Sequence, residues 1–125
     1  MTDAEFAHAF ENCELSNESF HHRDHLRLAW IYLKRYGEKE AATRIAGSIR
    51  SFAAHFGKSD KYHETVTIAW MRLLAHEAKG SFEETLVAAP MLLEKNTLGE
   101  FYSRDLLQSD RAKKEFVAPD LKPLP

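Results

Sequence analysis

Two segments hold the residues best suited to chemistry, Phe20-His21-His22-Arg23-Asp24-His25-Leu26 and Lys61-Tyr62-His63-Glu64-Thr65. Each opens a stretch of helical apolar periodicity. At about 100° per residue, His22 shares a side with Leu26, Ala29 and Leu33, and His25 lies about 60° from it. His63 shares a side with Thr67, Trp70 and Leu74, with Glu64 about 100° further round. All three imidazoles are expected to face inward. A histidine pair three residues apart, joined by a third from another helix, supplies three of a catalytic zinc's four positions and leaves one for water or substrate. If Ser19 caps the first of these helices and Asp60 the second, His22 and His63 both stand at the third helical position. The positive end of the dipole there favours the neutral ring, the form that a metal ligand and a general base both need.

The spacing excludes one metal chemistry and leaves others open. Thr67 stands where the second histidine of H-E-x-x-H would follow His63-Glu64, and Gly80 does so after His76-Glu77, so this is no zincin. Glu5-x-x-His8 and Glu18-x-x-His21 match a fragment of the carboxylate-bridged di-iron bundles, which need two further glutamates on facing helices. His8 and His21 suit solvated rims, and His55 and His76 suit helix C-termini. Tyr62, Tyr102 and Arg104 are candidates for orienting a bound anion, and Trp30 for walling a pocket. The alternative is that His22, His25 and His63 are core histidines satisfied by carboxylates or carbonyls and serve packing only.

These residues must be positioned by helices. Thr2-Asp3-Ala4-Glu5 has capping-box spacing and starts a helix to about residue 12, with Phe6, Ala9 and Phe10 at helical intervals. Asn17 or Ser19 caps a second, through Leu26, Ala29, Leu33 and Tyr36, which Gly37 ends. A third runs from Glu38 to His55 and stops at Gly57. Ser59 or Asp60 caps a fourth through Val66, Trp70, Leu73 and Leu74, closed by Gly80. Ser81-Phe82-Glu83-Glu84 starts a fifth, which Pro90 ends, kinks or follows with a new first turn. Residues 91–116 read as short helical pieces anchored by Met91-Leu92-Leu93, Leu106-Leu107 and Phe116. Residues 117–125 hold three of the four prolines and read as an extended tail with Val117, Leu121 and Leu124 to bury. No strand alternation or hairpin dipeptide is present, so the expected fold is all-α: a single-domain irregular bundle over 1–125 with five main helices.

Composition narrows the function classes. Seventeen basic and 19 acidic residues, mixed along the chain, give a formal charge of −2, which offers no generic attraction to nucleic acid or anionic lipid. The longest apolar runs are far short of a bilayer span, and the acidic start is unlike a signal peptide. The lone Cys13 agrees with a reducing cytoplasm, and without export the Asn17-Glu18-Ser19 acceptor pattern is chance.

The segments His22-Arg23-Asp24-His25-Leu26, Tyr62-His63-Glu64-Thr65-Val66-Thr67, Phe101-Tyr102-Ser103-Arg104 and Pro119-Asp120-Leu121-Lys122-Pro123-Leu124-Pro125 resemble, in order and over nearly the whole chain, a family of small all-helical bacterial proteins. The resemblance implies a stand-alone single domain. It adds weight to His22, His25, His63 and Glu64, brings in Tyr102, Ser103 and the tail as site neighbours, and supplies no activity or substrate.

The reading that follows is a small cytoplasmic enzyme acting on a small molecule, with a histidine site between helices two and four. His22, His25 and His63 would hold one divalent ion (zinc, iron, manganese or nickel), with His63 and Glu64 as the catalytic pair and no nucleotide cofactor. A metal-free version uses His63 or His22 as general base and Arg104 or a helix N-terminus as anion holder. The competing class is a non-catalytic helical module that forms a homodimer through an exposed apolar face.

Overall fold

The first helix begins at the capping box. In a computed structural model describing all of residues 1–125, the Thr2 hydroxyl accepts from the Glu5 amide and the Glu5 carboxylate accepts from the Thr2 amide. These bonds hold the Glu5 carboxyl below its usual pKa, the Thr2 amide foremost. Every regular element is helical, and two compact units divide the chain, Met1–Tyr62 and His63–Pro125. No helix is long and apolar enough to cross a membrane.

The first unit contains α1 (Asp3–Glu11), α2 (His22–Tyr36) and α3 (Glu38–His55). Gly37 alone separates α2 from α3. Its φ of 81° lets its amide close α2 on the Leu33 carbonyl while its own carbonyl accepts from Ala41 in α3. The two helices consequently pair along much of their length and bury Leu26, Ala29 and Trp30 from one with Ala41, Ile45 and Phe52 from the other. Phe10 of α1 stacks on Phe52 at 4.4 Å between centroids. A part-buried polar clasp joins all three helices. Tyr32 of α2 donates its hydroxyl proton to Glu11 of α1 at 2.6 Å and lies 2.8 Å from the Ser48 hydroxyl of α3. Burial, then the Glu11 bond, pushes the Tyr32 phenol well above its usual pKa, so it remains a donor.

The second unit contains α4 (Glu64–Glu77), α5 (Phe82–Ala88), 3₁₀ turns at Pro90–Leu93 and Lys95–Glu100, α6 (Arg104–Leu107) and α7 (Asp110–Lys114). Ser81 caps α5, and Pro90 opens a new turn after it, as its missing amide proton allows. α4 packs against α7 and the Pro90–Leu93 turn. The segment after α7 is tied down by side chains. The buried Thr65 hydroxyl donates to the Glu115 carbonyl and accepts from the Val117 amide, and the Tyr102 hydroxyl donates to the Val117 carbonyl at 2.7 Å. The Leu121 amide donates to the Phe101 carbonyl.

Two helix starts differ from the spacing argument. Asn17–Ser19 and Ser59–Lys61 form 3₁₀ turns, and Phe20 and Tyr62 are extended, so α2 and α4 begin several residues after the expected caps. Aromatic packing explains the first break, because the extended Phe20 backbone delivers its ring to Phe10 at 4.8 Å and Phe52 at 5.5 Å. His22 is therefore the first residue of α2, and His63 is the residue that caps α4; neither is at a third position.

Candidate functional site

His22 and His25 share the first turn of α2, with ring centroids 6.5 Å apart and planes at 72°. The backbone feeding them is fixed by Asp24, whose carboxylate accepts from the His21 amide at 2.9 Å. Both histidines are half-buried. The Nε2 atom of His25 is fully buried and has no hydrogen-bond partner in the protein. Burial, and secondarily the neighbouring His22, pushes the His25 pKa down to about 4, so the ring is neutral at physiological pH. A neutral ring with one nitrogen unpaired lacks a bond that a buried polar atom normally makes, at a cost of about 1–3 kcal/mol. It is the one group here that a ligand would satisfy.

His63 is arranged differently. Its Nδ1 accepts from the Val66 amide at 3.2 Å and its Nε2 lies 2.7 Å from the Leu107 carbonyl. An amide only donates and a carbonyl only accepts, so the bonds together require the proton on Nε2. Both nitrogens are thus committed, one to capping α4 and one to holding α6. A metal or a substrate proton could reach His63 only by breaking one of them.

The remaining candidates have these places. Glu64 is the half-buried first residue of α4. Tyr62 ends the first unit with the Arg50 guanidinium 5.7 Å from its ring centroid. Tyr102 is buried with its hydroxyl on the Val117 carbonyl, and burial raises its pKa. Arg104 is exposed at the start of α6. No group of three or more histidine, cysteine, aspartate or glutamate side chains is set to hold a metal ion.

Sequence reasoning missed Asp120. Its carboxylate accepts from the Ser103 hydroxyl at 2.6 Å and the Ser103 amide at 2.7 Å, and these bonds keep its pKa below the usual value. Ser103 also caps α6 through the Leu106 amide. The serine before a short helix was the available signal, but its partner lies 17 residues away. Compared with protein-family models, curated proteins and solved structures, the chain has no match.

Proposed function

We propose that the protein binds and acts on a small molecule at the His22–His25 end of α2, with the neutral imidazole of His25 as the group that meets the ligand. The unpartnered, buried Nε2 of His25 carries this reading. A ring that stays unprotonated near pH 7 can accept a proton, donate a hydrogen bond from its other tautomer, or ligate a metal. Its position in the first turn makes a local opening for ligand entry inexpensive compared with opening mid-helix. His63, with both ring nitrogens bonded within the second unit, takes no chemical part in this reading.

The geometry supports the metal-free form best. Tetrahedral zinc about 2 Å from a nitrogen of each ring needs centroids roughly 5 Å apart. At 6.5 Å, His22 and His25 would have to draw together to hold zinc, iron, manganese or nickel. Acid–base or hydrogen-bonding work requires no such movement. Protein purified without a histidine tag tests the choice by elemental analysis and melting temperature. The metal-free form expects small anions or carboxylates to raise the melting temperature and chelators to leave it unchanged. A stoichiometric metal, with chelators destabilising the protein, would move the reading to the metal form.

A non-catalytic module is the second reading, favoured by Val87 at 82% exposure and Met91 and Leu93 at 42% each. Such residues around the end of α5 suit a second copy of the chain. Sedimentation of wild type against Val87→Glu decides it: a dimer that the substitution dissociates supports the module, and a monomer at every concentration removes it.

A further inference from the structure

We propose that the groove between α4 and the segment after α7 binds a small organic carboxylate with an apolar body, held by Arg72. The open groove offers about 380 Å³, and its walls include Phe116, Pro119, Leu121, Pro123 and Leu124. That volume is in the range of small-molecule sites. Arg72 projects from α4, half-buried, with its guanidinium carbon 5.6 Å from the Phe116 ring centroid. The guanidinium makes this aromatic contact and no ion pair, although the Asp120 carboxylate lines the same groove. Arg27, Arg44 and Arg111 each pair with a carboxylate, on Asp3, Glu40 and Glu115.

The groove holds other charges too. Asp120 stays ionised, its carboxylate accepting from the Ser103 amide and hydroxyl, so the lining carries one anion beside two cations. Lys122 lies 4.0 Å from Glu100 and over the Phe101 ring. Among the cations lining the groove, Arg72 is the one without an ion pair, and the planar fork of its guanidinium matches a carboxylate. The prolines restrict the walls, so little backbone order is lost on binding. A charged head at Arg72 and an apolar body along Leu121 and Leu124 would satisfy both parts. The site uses no residue of the His22–His25 reading.

The test is a titration of the full chain followed by amide NMR, with hexanoate, its uncharged counterpart hexanamide, and inorganic phosphate as probes. Hexanoate should shift the amides of Phe116, Leu121 and Leu124 and the Arg72 Nε–H saturably, with a dissociation constant on the order of 1 mM for so open a site. Hexanamide and phosphate should each bind at least about tenfold more weakly, one lacking the charge and the other the apolar body. Arg72→Met should weaken hexanoate by about tenfold or more, and Leu121→Ser, at an exposed position, by about threefold. If Arg72→Met does not fold, Leu121→Ser and the wild-type Arg72 Nε–H signal carry the test. Three results would overturn the proposal: hexanamide or phosphate binding as tightly as hexanoate, wild-type affinity in the variants, or no saturable shift up to about 50 mM.

Discussion

His25 couples the candidate site to acid stability. Its pKa is about 4 when folded and about 6.5 when unfolded, so between those values the unfolded chain binds more protons. The stability that the neutral ring contributes is complete above about pH 6.5 and is lost as pH falls through about 4, by roughly 3 kcal/mol in all. His25→Gln, uncharged at every pH, should flatten that part of the urea-denaturation profile. An unchanged acid loss in the variant would show that carboxylates alone set it. His63 makes a different prediction. His63→Ala should lose about 1–2 kcal/mol, and His63→Asn should recover part of it by capping Val66, as read by denaturant midpoint. The burial of a His25 ring nitrogen is consistent with residue spacing. The occupation of both His63 nitrogens is not legible there, because a histidine that caps a helix looks in sequence like one that begins it, and its Leu107 partner is 44 residues distant.

Helix interiors follow the periodicity, and their ends follow glycine and proline. Gly37, Gly57 and Gly80 all have positive φ where the pattern calls for a stop. What spacing could not supply is the 3₁₀ turns ahead of α2 and α4, since a serine or aspartate caps either kind of turn, and the distant aromatics that hold Phe20 ahead of α2 are invisible locally. The Tyr32 clasp is equally hidden, being built from three helices. Tyr32→Phe leaves the ring packed and removes both hydroxyl contacts, so it should lower stability by about 1–2 kcal/mol in urea denaturation. Thr65→Val, similar in shape, strands the Glu115 carbonyl and the Val117 amide and should lose about 2–4 kcal/mol, more than Thr65→Ser.

At the scale of the molecule, each unit contains one tryptophan, Trp30 in the first and Trp70 in the second, and both are buried. Trp70→Phe and Trp30→Phe proteins therefore report the two units separately by fluorescence. Against those backgrounds Tyr32→Phe should lower the midpoint read by Trp30, and Thr65→Val the midpoint read by Trp70. A substitution that left its own unit's midpoint unmoved would mean that the bonds it removes contribute nothing net. With a formal charge of −2 and both signs interspersed, stability should change little between low and physiological salt, as melting temperature would show.

The ties to Val117 have a consequence for how this chain tolerates change. One residue has its amide held by Thr65 and its carbonyl by Tyr102, while Ser103, next to Tyr102, is held by Asp120. Three of the most recognisable stretches of the sequence are thus partners of one another. A saturation scan should find Thr65 and Tyr102 about as intolerant as a catalytic residue, although each is spent on backbone. Invariance across Tyr62-His63-Glu64-Thr65 or Phe101-Tyr102-Ser103, read alone, would then point to chemistry where the selected property is mutual dependence of segments. The informative residues for activity are those whose loss leaves the fold intact.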